Sequence, residues 1–233
     1  MDYQTKMKIR RWVRQPFITY TLLAVQTVLF ILMTLDGGST NTDTLIRYGA
    51  KVNPLIIIGD WWRLVTPMFL HIGFTHILMN SIVLYFLGIQ LESIYGPWRF
   101  LGIYLLSGIA GNAASFAFSQ SVSAGASTAL FGLFGAAVIL GKLYPGNYAI
   151  QSMAKRFSTL ILLNLVFGMF SAGIDFAGHV GGLIGGAILS YVFAPAGTYR
   201  LARKDRIRYG VFFTGFILIL VGIGYGKFFL LYR

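Results

Sequence analysis

Ser127, in Gly125-Ala126-Ser127-Thr128, and His179, in Gly178-His179-Val180-Gly181-Gly182, each open an apolar run of helical length. A serine hydroxyl is a weak nucleophile until an adjacent base takes its proton, and imidazole suits that task near neutral pH. The topology derived below puts both residues at one face of a membrane. A nucleophile and a base that meet inside a bilayer imply peptide hydrolysis within the membrane. His76 and Asn80 begin another apolar run and bring two further polar groups to the same level.

The elements that must position these residues follow from composition. The chain has 233 residues, 56% hydrophobic and 11% charged, with a mean hydropathy of +0.71. Soluble domains carry about 25% charged residues, so the solvent here is lipid. Glycine, at 28 residues, exceeds the usual ~7%, and small residues let membrane helices approach closely. With no cysteine, a disulfide framework, a thiol nucleophile and a thiolate metal site are excluded. A net charge of +12 would suggest nucleic acid for a soluble protein. Here the bases lie in loops between apolar runs, so they set topology beside membrane lipids and no nucleic-acid partner is expected.

Seven runs, 17–35, 69–91, 98–118, 127–142, 157–172, 178–195 and 209–231, predict an all-α polytopic membrane protein. The fourth, fifth and sixth are short, as expected where helix ends face a water-filled cavity. Lys6, Lys8, Arg10, Arg11 and Arg14 precede the first run, but no small-residue cleavage site follows it, so the span is read as retained. With that tail inside, only Arg47, Lys51, Arg63, Lys227 and Arg233 fall outside. The positive-inside rule then sets the N-terminus in the cytoplasm and the C-terminus beyond it. The short tail, with an early Asp2, lacks the character of an organelle presequence, which favours a bacterial plasma membrane. The division read from the runs is a basic tail at 1–16, a six-helix core at 17–195, a basic loop at 196–208 and a seventh span within 209–233.

This parity sends the second, fourth and sixth spans from outside to inside, so His76, Asn80, Ser127 and His179 converge at the outer face. From Ser127 to Lys142 the helix covers roughly 22 Å. If Lys142 marks the inner boundary, Ser127 lies about 8 Å below the outer surface of the hydrocarbon core. A serine in a membrane helix ordinarily bonds a backbone carbonyl. Ser127 differs because the polar segment Ser119-Gln120-Ser121-Val122-Ser123-Ala124-Gly125 precedes it and can admit water. A helix N-terminus also favours developing negative charge. Gly178, Gly182 and Gly186 share one face of the sixth span, and Gly132 and Ala136 one face of the fourth, so close approach is feasible. Such glycines also simply pack helices.

The ordered motifs resemble the rhomboid intramembrane serine proteases over roughly residues 60–195. Trp62-Arg63 is similar to the family's Trp-Arg pair, and His71 with His76-Ile77-Leu78-Met79-Asn80 to its His and His-xxx-Asn. Glu92 with Tyr95-Gly96 resembles the stretch that closes the second helix. Gly125-Ala126-Ser127 and Gly178-His179-xx-Gly182 resemble the nucleophile and histidine motifs. Thr128 departs from the glycine that usually follows the serine; its hydroxyl is expected to cap a backbone group or its bulk to narrow the cavity. Phe131 stands where many members carry an aromatic that packs on the imidazole. No cytoplasmic domain is expected ahead of the first span, and the seventh span lies outside the six-helix core.

The resemblance implies a Ser127–His179 dyad and an oxyanion hole formed by the Ser127 N–H, His76 and Asn80, the last two on one face at i, i+4. It implies transmembrane protein substrates whose helices unwind easily and carry small residues at the cut, with the fifth span as a lateral gate against the second. No cofactor and no metal are implied. Asp175 is read as a helix cap rather than a third catalytic member. His71 supports the cavity or retains water there, Arg63 anchors the first loop and lipid headgroups, Trp62 is structural, and Glu92 ties the second span to the inner loop after it.

The residues argue against other intramembrane chemistries. His71 and His76 do not form His-Glu-x-x-His, two buried aspartates are missing, and a zinc site on the three histidines would leave Ser127 and Asn80 unexplained. A transporter is disfavoured by the lack of an internal repeat. The alternative of another class is a non-catalytic rhomboid-like scaffold or chaperone that binds transmembrane segments.

Overall fold

The computed structural model describes residues 15–171, 173–195, 198 and 201–231. The basic tail as far as Arg14, and Arg200 and Arg233, lie outside the described residues. Seven long helices follow in order: α1 (Phe17–Leu35), α4 (Gly73–Tyr95), α5 (Pro97–Phe118), α6 (Ser127–Leu143), α7 (Tyr148–Phe170), α8 (Phe176–Val192) and α9 (Arg203–Leu231). Short helices α2 (Thr42–Arg47) and α3 (Asn53–Ile57) and two 3-10 turns, Trp61–Leu64 and Thr66–Phe69, fill the loop between α1 and α4. Among the described residues the only extended pairing is an isolated antiparallel bridge between Lys51 and Ser123.

Helices α1, α4, α5, α7 and α9 are long and apolar enough to cross a membrane, whereas α6 and α8 have 17 residues each. A helix of that length reaches about 25 Å at 1.5 Å per residue, short of a ~30 Å core. This shortness lets a helix begin below a membrane surface.

Several boundaries differ from the sequence-based expectation. The second span begins at Gly73, not at 69, because Pro67 lies in the 3-10 turn Thr66–Phe69 and Gly73 adopts φ +77°. His71 therefore lies on the connection before α4. The fifth span is not short: α7 has 23 residues. Its first turns carry Gln151, Lys155 and Arg156, which lower the hydropathy there. The Asn147 side chain nevertheless caps the helix by accepting from the Ile150 N–H, 3.1 Å, and Gln151 Nε2 donates to the Gly141 carbonyl. Helix α8 stops at Val192, before Pro195, and α9 starts at Arg203, where Asp205 accepts from the Ala202 N–H.

Helix α6 forms the centre, with its residues buried from Thr128 to Ala137. Against it α8 packs without side chains between the backbones: a Cβ on Gly182 would meet the Thr128 carbonyl, and one on Gly186 would meet the Gly132 backbone. Helix α5 closes the other side, and Gly181 faces Ala114 and the Ala110 carbonyl. Helix α9 lies outside the six helices, with Gly224 against Phe116 and Phe213 and Leu220 buried.

Glu92 ties helices together, but its partner is α1 and not the inner loop that follows. Its carboxylate accepts from the Ile18 N–H (3.0 Å), the Thr19 N–H (2.8 Å) and the Thr19 hydroxyl (2.7 Å). Pro16 gives α1 no side-chain cap. A buried carboxylate from α4 therefore satisfies its orphan N–H groups and complements its positive end.

Candidate active site

The position of Ser127 begins with Gly125. Its φ of +151° suits glycine, and a Cβ there would meet the His76 ring. The Gly125 N–H donates to the Pro67 carbonyl, 2.9 Å, which fixes the approach to α6. Helix α6 then starts at Ser127 with no side-chain cap, so its first N–H groups lack helical acceptors.

His179 sits in the first turn of α8, and its Nε2 lies 2.9 Å from Ser127 Oγ. Phe131, one turn into α6, stacks on the imidazole with ring centres 4.2 Å apart and planes 13° from parallel. Asp175 caps α8 by accepting from the Gly178 N–H at 2.9 Å. For Nε2 to accept the serine proton, the neutral ring must carry its hydrogen on Nδ1. That tautomer is assigned from chemistry, as hydrogen positions always are.

His76 and Asn80 stand on α4 beside the same space. The His76 Nδ1 accepts from the Ile72 N–H at 3.4 Å, which puts the ring hydrogen on Nε2, free to donate. The Asn80 amide nitrogen is buried and has no partner. Both residues line a cavity of about 730 Å³ together with Ser127, Phe131, Asp175 and His179. Four polar groups from α4, α6 and α8 thus share one chamber. His71 does not line it; this buried ring packs edge-on against His76, 5.3 Å between centres. The supporting glycine, Gly182, lies in the α6–α8 seam described above.

Other sequence-selected residues separate into those at the site and those away from it. Trp62 is 54% exposed. Arg63 is buried and does not face headgroups: it donates to Asp60 Oδ2 (2.8 Å) and to the Ile46 and Ala50 carbonyls (both 2.9 Å). It anchors the first loop because three acceptors satisfy its fork. Thr128 neither caps nor narrows. Its Oγ1 is buried without a partner, and its side chain lies against Gly111 and Gly178, away from the cavity lining.

Sequence reasoning missed Lys51, which it counted only as an outer-loop charge. The side chain is fully buried, and Nζ donates to Asn53 Oδ1 and to the Ser119 carbonyl, each at 3.0 Å. The Lys51 backbone pairs with Ser123 in both directions, at 2.9 and 3.2 Å. This pins the Ser119–Ala124 segment, a wall of the cavity. Burial lowers the Lys51 pKa from 10.5 to about 8, while attraction to Asp175 opposes the drop. No local signal could have found it, since a loop lysine normally remains solvated. Asn164 of α7 was also missed; it too lines the cavity.

The arrangement can move a proton from a hydroxyl to an imidazole beside a chamber of about 730 Å³, with donors beside it. Among the described residues no group of three or more His, Asp or Glu could hold a metal ion. A family profile described as Rhomboid domain matches residues 58–196. The chain is 46% identical over 172 residues to Rhomboid protease GluP of Bacillus subtilis (strain 168), covering 74% of this chain and 34% of that protein. It thus spans about a third of the length of that relative. It is 35% identical over 181 residues to Putative rhomboid protease YdcA of the same organism, with 76% and 88% covered. Rhomboid protease AarA of Providencia stuartii is 31% identical over 206 residues, with 76% and 73% covered.

Proposed function

The chain belongs to the rhomboid family and is a multi-pass, all-α membrane protein, and from that premise we propose that it is an intramembrane serine endopeptidase. It cleaves single-span transmembrane proteins near the extracytoplasmic boundary. The observation that carries this reading is the 2.9 Å contact between His179 Nε2 and Ser127 Oγ at the rim of one shared cavity.

His179 takes the Ser127 proton as Oγ attacks the scissile carbonyl carbon. The carbonyl oxygen becomes an oxyanion held by the Ser127 N–H, the His76 Nε2–H and the Asn80 amide. Collapse expels the amine, which receives its proton from His179, and leaves an acyl-enzyme. Water, deprotonated by His179, then releases the acid product. Each oxyanion donor is worth ~10²–10³ in rate. Phe131 holds the imidazole plane, and His71 backs His76. Arg63 and Glu92 act structurally, through the loop and helix contacts described, and Trp62 through its carbonyl, which accepts from the Thr66 hydroxyl at 3.1 Å.

Residues 17–195 form the catalytic core, with the basic loop 196–208 and the seventh span appended. The N-terminus is cytoplasmic and the C-terminus extracytoplasmic, in a bacterial plasma membrane. Substrate helices enter beside α7, opposite α4. Much of the α7 surface is exposed, including Leu162, Phe167 and Met169. No cofactor or metal takes part.

Purified protein with a single-span substrate tests the assignment. Native protein is expected to cut it, and Ser127→Ala and His179→Ala to leave it intact. Equal cleavage by either variant overturns the dyad. Binding without cleavage by native protein would instead favour the scaffold reading.

A further inference from the structure

One charge beside the dyad has no part in the chemistry so far. Asp175 stands one turn before His179 on α8 and uses only Oδ1 as the helix cap. Its Oδ2 is buried and without a partner, and so is His179 Nδ1. When Nε2 accepts the serine proton, Nδ1 carries a hydrogen that needs an acceptor. The two orphan atoms are therefore complementary. They belong to residues at i and i+4, which share a helix face, and both residues line the same cavity. Gly178 keeps the space open, since a Cβ there would meet Asp175 Oδ2.

We propose that Asp175 is a positioning residue for His179. In the reacting enzyme its Oδ2 accepts the Nδ1–H directly, which fixes the tautomer that leaves Nε2 free for Ser127 and stabilises the imidazolium once the proton has moved. The cap holds the carboxylate in place while the second oxygen serves the base. Lys51 is the cation whose charge couples to Asp175 from behind the cavity wall. This inference rests on the proposed dyad.

The cap allows the two roles to be separated. Asparagine and serine cap helices nearly as well as aspartate, but neither supplies a carboxylate at the second oxygen. In detergent, with a single-span substrate and rates normalised to folded protein, Asp175→Asn is expected to keep the native Tm. Its kcat should fall at least ~10-fold with KM little changed, since the interaction strengthens only as His179 gains charge. Asp175→Ser should behave alike, and labelling of Ser127 by a fluorophosphonate should slow in parallel. Asp175→Ala should lose both Tm and rate. Native kcat per folded molecule in Asp175→Asn or Asp175→Ser overturns the proposal. If Ser127→Ala is inert while Asp175→Asn is fully active, only the positioning role fails. If Ser127→Ala still cleaves, the dyad itself fails.

Discussion

The seam between α6 and α8 and the flank formed by α7 border the same cavity, yet they are built oppositely. At the seam, backbone meets backbone: Gly182 abuts the Thr128 carbonyl and Gly186 abuts Gly132. On α7 only Met153, Ala154, Phe157, Ile161 and Gly168 are buried, while large side chains such as Leu162 and Phe170 remain exposed. Without a hydrophobic force between helices in lipid, association depends on close packing. The glycine seam therefore holds its helices rigidly, and α7 is held loosely. The difference teaches that close backbone packing and exposed apolar surface are assigned to different helices. Ser127 and His179 sit on the rigid pair, where a displacement of 1 Å can cost ~10²-fold in rate.

The strongest way to break this contrast is to put volume into the seam. Gly182→Val would drive α8 away from the Thr128 carbonyl at the level of the dyad. Cleavage of a single-span substrate is expected to fall at least ~100-fold, with a clear drop in Tm from overpacking. Native activity in this variant would show that the seam does not set the geometry. The complementary change is on the exposed face of α7. Phe167→Ala removes a side chain that is 67% exposed. It should leave Tm nearly unchanged in detergent, within the ~0.5 kcal/mol usual for surface substitutions. A large loss of stability would mean that α7 is packed as firmly as the seam.

The smallest expected effect concerns the wall between the two regions, pinned by Lys51. Its folded pKa of about 8 lies below the ordinary 10.5, so between those values the unfolded chain binds the extra proton. Stability should therefore rise as pH increases from 8 to 10.5 and show no pH dependence from this residue below 8, where the cost of burying the ammonium is constant and at its greatest. Thermal unfolding at pH 7.5 and 9.5 measures the rise, and Lys51→Met should abolish its Lys51 component. An identical pH dependence in the variant would show that Lys51 is not buried as a cation.

The helical class, the apolar runs and the candidate pair were legible because each is a local or ordered signal. Seven runs can be seen in hydropathy, and Ser127 and His179 stand out as polar residues opening apolar helices. The start of α7 was hidden because Lys155 and Arg156 lower hydropathy while Asn147 and Gln151 hold the turns through hydrogen bonds. The partner of Glu92 was equally hidden, since a carboxylate capping a helix 73 residues away leaves no trace in spacing.

The sequence by itself determined that this chain lives in lipid, how many long helices it forms and which few polar groups it submerges, because lipid admits polar atoms only where they are used or satisfied. Tertiary structure alone decided which groups meet. The 2.9 Å Ser127–His179 contact, the Phe131 stack, the buried Lys51 and the free oxygen of Asp175 all depend on backbone approach between distant segments. That approach is set by the fit of glycine faces in three dimensions, which no linear spacing encodes.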